Sequence, residues 1–298
     1  MDNIPYAGEL CALLSPLSWS FAVILFRKTG ERVTPLVLNL FKSTVALLGF
    51  AVLMVVTGEV APPDVDLADY GLLLLSGLIG LGLADLFFFM CLNRVGAGRQ
   101  AIVNTAYSPP IILLSWWLLG ETLTAWQLVG VALILVAVLL VGKTRGEAGD
   151  QVVVGVLWGV GACFAQAISI VLVKPHLEDW PLIWTTFWRL VGGVAGTLVL
   201  VALARPADRR LGELREPGVW RVMLPATLIG SLLSQGLWMA GFKYADASVA
   251  AALNQTATLF TFVLAVLILK EPVSPRRVAG LVAGMAGVAL VTFLGAGG

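Results

Sequence analysis

Apolar stretches of about 18 or more residues recur from one end of this chain to the other, separated only by short polar clusters. Each is long enough to cross ~30 Å of hydrocarbon as a helix. Only 12% of the 298 residues are charged and 59% are hydrophobic, whereas soluble domains carry about a quarter charged residues. The pattern predicts an all-α integral membrane protein that crosses the bilayer many times.

Breaking the chain at its polar clusters gives ten transmembrane spans, near 8–26, 35–57, 71–92, 100–119, 124–142, 152–173, 181–203, 222–242, 248–269 and 278–295. The connections are short, and the longest, from Arg205, reads as a surface turn or a short amphipathic helix. The amino terminus holds Asp2 and Glu9 and lacks a basic n-region, so the first run is expected to be a retained helix. Loops after the odd-numbered spans hold fifteen Lys and Arg residues, whereas the opposite side holds only Lys174 and Lys243. This bias predicts that both termini face away from the cytoplasm, in a cell membrane. A net charge of +1 gives no reason to expect a nucleic-acid partner.

The remaining two cations are Lys42 and Arg189, and an internal repeat pairs them. Shifting the chain by 150 residues lays LIG at 78–80 on LIG at 228–230, Asn104 on Asn254 and Glu121 on Glu271. Nearer the amino end the shift is 147, which lays FKS at 41–43 on WRL at 188–190. Each half, 1–145 and 146–298, holds five spans. Five is odd, so the second half is expected to sit inverted relative to the first. Inverted repeats around a midplane site are a recurrent transporter architecture.

The segments GAGRQAIVNTAYSPPIILLSWWLLGETLTAWQLVGVALILVAVLLV and ADASVAAALNQTATLFTFVLAVLILKEPVSPRRVAGLVAGMAGVALV each end their fourth span on a Gly-Glu or Lys-Glu doublet. With ten spans in two five-helix repeats, the chain resembles the EamA family of the drug/metabolite transporter superfamily. The resemblance covers essentially the whole chain and implies a small-solute transporter. It says little about substrate.

A lysine at the centre of a membrane helix costs ~2.5–3.5 kcal/mol on an insertion scale. Lys42 and Arg189 each lie some eight residues into a span, ~12 Å deep and beyond easy snorkelling. Two roles fit such a pair: contact with a substrate or coupling ion in a central cavity, or a structural cation held by carbonyls or an acid. Asp85, deep in the third span, is placed to neutralise Lys42 or to carry a coupling proton. Its repeat partner is neutral Gln235, which leaves Arg189 the less compensated cation. Asn104 and Tyr107 precede Pro109 and Pro110, expected to kink the fourth span, and Asn254 occupies the equivalent stretch of the ninth. These polar residues either line a pathway or bond across helices. Trp188, beside Arg189, is a cavity wall or a packing residue. Glu121 and Glu271 are expected to cap spans five and ten, where they sit. Three widely spaced cysteines and one loop histidine offer no metal site, and no cofactor is expected.

These residues predict a secondary transporter of a small metabolite, most simply an amino acid or another small carboxylate. Other solutes (a drug, a cation or a phosphorylated metabolite) remain open. An ATP-driven pump lacks its Gly-rich Lys-Ser/Thr loop here. An intramembrane enzyme lacks an acid–base constellation. A scaffold would not need symmetric buried cations. The expected partners are a small-molecule substrate, the bilayer and a proton or other coupling ion, in a monomer or weak dimer.

Overall fold

The computed structural model describes residues 7–59, 65–119, 124–142, 147–173, 179–208, 210–244 and 253–294, among which no strand occurs. Among these residues, ten helical rods follow in order. They are α1 (Ala7–Thr29), α2 (Pro35–Thr57), α3 (Leu67–Val95), α4 (97–119), α5 (Ala125–Gly142), α6 (Glu147–Val173), α7 (Leu182–Leu203), α8 (217–244), α9 (253–269) and α10 (275–294). Six of them (α1, α2, α3, α5, α6 and α7) are long and apolar enough to cross a membrane. Proline opens α2, α8 and α10, where its fixed φ and missing N–H cost nothing in a first turn. A reciprocal Asp66–Asp69 capping box starts α3.

Several helices begin earlier than the hydropathy suggests. α6 starts at Glu147, α8 at Pro217 and α10 at Pro275, because helical hydrogen bonding continues past the apolar run into the polar interface. The connection after α7 contains a short 3₁₀ turn, Leu211–Arg215.

The halves interlock. α1 packs on α8 and α9, whereas α6 packs on α3 and α4, so each half lends its first helix to the other. α7 lies across α3, where a Cβ on Gly77 would strike the Arg189 carbonyl and one on Gly192 would strike the Leu74 carbonyl. Only glycine permits that approach.

α3 and α8 are interrupted at the same place. Leu78–Ala84 and Leu228–Leu233 are wide π-helical turns, each opening on one copy of LIG. Such turns leave main-chain carbonyls without their usual partner and recur at functional sites. α4 is interrupted too, by a 3₁₀ turn at Asn104–Tyr107, and α9 by a turn at Gln255. The break in α4 therefore precedes Pro109 and Pro110 instead of falling on them. Both prolines stand in the first turn of Ser108–Leu119, where a proline is tolerated.

The capping role expected of Glu271 is real but on another helix. Its carboxylate accepts from the amides of Ala97 (2.7 Å) and Gly98 (3.2 Å), at the start of α4. α10 is capped by Ser274, which accepts from the Arg277 amide. Local sequence proximity suggested α10, but the tertiary fold brings the bare end of α4 closer. Glu121 lies outside the described residues, as do His176 and Lys174.

Candidate functional site

Helix α2 turns Asn39, Lys42 and Ser43 inward on one face, at i, i+3 and i+4, and all three are buried. The Lys42 ammonium donates to an Asp85 carboxylate oxygen and forms an ion pair with it. Asp85 is the first residue after the wide turn of α3. One helical turn from Lys42, the Asn39 amide donates to the carbonyls of Leu81 (3.2 Å) and Gly82 (2.9 Å) and to the Thr197 hydroxyl (3.2 Å). Those carbonyls belong to the wide turn, so Asn39 ties the turn to α2. The same face of α2 thus secures the turn and neutralises the acid that follows it.

Arg189 is held differently. Its Nε donates to the Ser76 hydroxyl and its Nη2 to the Ser169 hydroxyl, both at 3.1 Å. The two serines are bonded reciprocally across α3 and α6. Ser76 Oγ donates to the Ser169 carbonyl (2.9 Å) and Ser169 Oγ to the Ser76 carbonyl (2.8 Å). Each hydroxyl spends its one proton on a carbonyl and turns its lone pairs to the guanidinium. No carboxylate bonds to Arg189 among the described residues, although Asp85 and the Tyr107 phenol act on it electrostatically.

The mirror positions explain the difference between the two cations. Gly80 faces Gln166 and Ser169, and its repeat partner Gly230 faces Trp19 and Ala22, so the structure sets α1 on α6 at the 147-residue shift. By that correspondence the Ser76–Ser169 pair has Ala226 and Ala22 as its counterpart, both fully buried. On the Lys42 side those two hydroxyl positions are alanines, and Asp85 supplies an acid. Near Arg189 the acid is replaced by Gln235, and hydroxyls take over. A second reciprocal pair, Ser15 with Ser234, joins α1 to α8, and its counterparts are again alanines, Ala162 and Ala84.

Lys42, Asp85, Arg189 and Tyr107 therefore share one neighbourhood. The other expected residues do not bond to it among the described contacts. Trp188 packs edge-on against Tyr70, with ring centroids 4.9 Å apart. Asn104 is exposed at the start of the 3₁₀ turn, and Gln235 and Asn254 are half-buried beside the breaks of α8 and α9. Sequence reasoning missed Asn39, Ser76, Ser169 and Thr197. For Asn39 a signal existed, since it shares a helical stripe with Lys42.

With this geometry in view, comparison with known proteins decides the family. The family model of the EamA-like transporter family matches residues 6–143 and again 153–293. This chain belongs to that family. An uncharacterized transporter of Archaeoglobus fulgidus is 23% identical over 274 residues, spanning 91% of this chain and 93% of that protein. The uncharacterized transporter YvbV of Bacillus subtilis is 31% identical over 143 residues, which is 48% of this chain and 42% of that protein. A protein with a solved crystal structure shares the fold, with a TM-score of 0.63 at 18% identity over 97% of this chain and 98% of its own. The EamA-like chain is a multi-pass membrane protein of transporter type.

Proposed function

We propose that this EamA-like transporter moves a small solute bearing an anionic group, most simply an amino acid or another small carboxylate, across the cytoplasmic membrane through a central cavity between its halves. The observation that carries this reading is the way Arg189 is held. A guanidinium has five N–H donors in a planar fork. The serine pair takes Nε–H and one Nη2–H, which leaves the terminal edge, with both protons of Nη1 and one of Nη2. That edge suits a carboxylate or phosphate bound through two parallel hydrogen bonds. Asp85, the acid that acts electrostatically on Arg189, is bonded to Lys42. The cation is therefore positioned by neutral groups, and an arriving anion supplies the countercharge. Asp85 is the candidate for a coupling proton, because it is bonded to Lys42 and also acts electrostatically on Arg189, whose balance the ligand alters.

The test is flux in proteoliposomes, with a panel of amino acids, carboxylates and uncharged solutes screened for counterflow. Transport should fall on a solute with an anionic group. Arg189→Gln should lose most of that flux while the protein still folds and elutes as the wild type does. Arg189→Lys keeps the charge but not the fork, and should weaken apparent binding by about 1–3 kcal/mol. Full flux in the glutamine variant, or a substrate without an anionic group, would overturn the proposal.

A further inference from the structure

Away from Arg189, two hollows meet at one rim of the molecule. The first, of about 470 Å³, is lined by Arg99, Arg276 and Arg277 with Leu140, Val141, Ser274 and Pro275. The second, of about 780 Å³, is an open apolar groove between α5 and α10. The two share Ser274 and Pro275. A pocket rich in arginine thus continues directly into a greasy groove.

Among the described residues the pocket gathers three arginines around a single nearby acid, Glu271. Arg99 lies within electrostatic range of Arg277 and of Glu271. Glu271 is the acid described there, and it already accepts from two α4 amides and from Arg277 at 3.5 Å. Arg277 also donates to the Pro272 carbonyl (2.7 Å). The start of α10 adds its positive dipole end. Pocket and groove also have the right relative placement. Arg99 stands in the first turns of α4, Val141 in the last turn of α5 and Pro275 at the start of α10, so the arginines gather at one membrane face. From there Pro275, Ala279, Ala283 and Ala286 run down one side of α10. Eleven residues at 1.5 Å each make ~16 Å, about half the ~30 Å hydrocarbon thickness. The glycines of α10 turn the other way, with Gly280 and Gly287 against α5. Alanines in place of larger side chains keep the outer groove hollow.

We infer that this rim is a binding site for one anionic phospholipid, with its phosphate among the arginines and an acyl chain in the α5–α10 groove. Clustered basic residues at a membrane face attract anionic headgroups. A free phosphate would need the pocket alone, and a zwitterionic lipid would gain little from three arginines. The site is independent of the anion proposed to bind Arg189.

Native mass spectrometry of the detergent-purified protein tests it, with phosphatidylglycerol, phosphatidylcholine of the same chains and glycerol phosphate as probes. Phosphatidylglycerol should be retained at one copy, phosphatidylcholine should not, and glycerol phosphate should fail to compete. Arg99→Gln should lower retention about fivefold, the effect of one basic residue near a surface. Ala283→Phe, which fills the groove without touching charge, should lower it as well. Equal retention of both lipids would mean an ordinary lipid annulus and overturn the assignment. Competition by glycerol phosphate would make the pocket a free-anion site, and unchanged retention in both variants would remove it altogether.

Discussion

Lys42 and Arg189 occupy equivalent positions, yet their surroundings pose different electrostatic problems. Lys42 is 5% exposed and bonded to a carboxylate, so removing either partner leaves a charge in a medium that cannot solvate it. Breaking such a pair costs about 3–5 kcal/mol, whereas replacing both partners with apolar groups of similar size is often neutral. Lys42→Met and Asp85→Leu should therefore each lower the melting temperature strongly, and the double variant should recover most of the loss. A double variant no more stable than the worse single one would show that the pair does not act as a unit. At this scale the charged residues were legible in the sequence, because a charge inside an apolar run stands out. Ser76 and Ser169 were not legible. A serine is small and common in membrane helices, and only the crossing of α3 and α6 brings these two together beneath Arg189.

Among the helices, the LIG repeat was visible as letters, but its meaning was not. Nothing in three residues says that a turn widens there or which helix it will meet. Asn39 on α2 bonds to its carbonyls, and that contact spans 42 and 43 residues of chain. The close passage of α7 over α3 makes two glycines of one helix behave oppositely. A Cβ on Gly77 meets the Arg189 carbonyl and main-chain carbon, which cannot swing aside, whereas a Cβ on Gly71 meets nothing within 4 Å. Gly77→Ala should cost about 1–3 kcal/mol by overpacking and should impair transport, because it displaces the segment that carries Arg189. Gly71→Ala should be stabilising by about 0.5–1 kcal/mol, the usual gain from removing a helix-interior glycine. Thermal unfolding of the two variants in one detergent decides the matter. Similar losses in both would mean that α3 is sensitive along its whole length, not at the crossing.

Over the whole molecule, the ten-span count and the two-fold repeat were readable because hydropathy and charge report directly on the bilayer. The fifteen-to-two loop bias predicts extracytoplasmic termini, so a reporter active only in the cytoplasm and fused after Gly298 should stay silent. The ties between the halves were not readable, since they join residues far apart in sequence. Glu59, just past the end of α2, accepts from the amides of Ile183 (3.1 Å) and Trp184 (3.2 Å) at the start of α7. Glu213, in the connection after α7, accepts from the Thr34 amide (2.8 Å) at the start of α2. Each half thus caps a helix of the other, and the two caps lie at opposite ends of α2, on opposite membrane faces. A transporter whose halves rock about a central site must loosen one such tie while keeping the other. Loss of a cap costs about 1 kcal/mol, or roughly a fivefold shift in a two-state population. Spin labels at Glu31 and Leu211 report one face, and labels at Leu67 and Asp179 report the other; all four positions are exposed. In Glu213→Ala, double electron–electron resonance should show a larger long-distance fraction for the first pair and none for the second. Glu59→Ala should do the reverse. If both variants broaden both pairs alike, the carboxylates hold the fold together without governing which face opens.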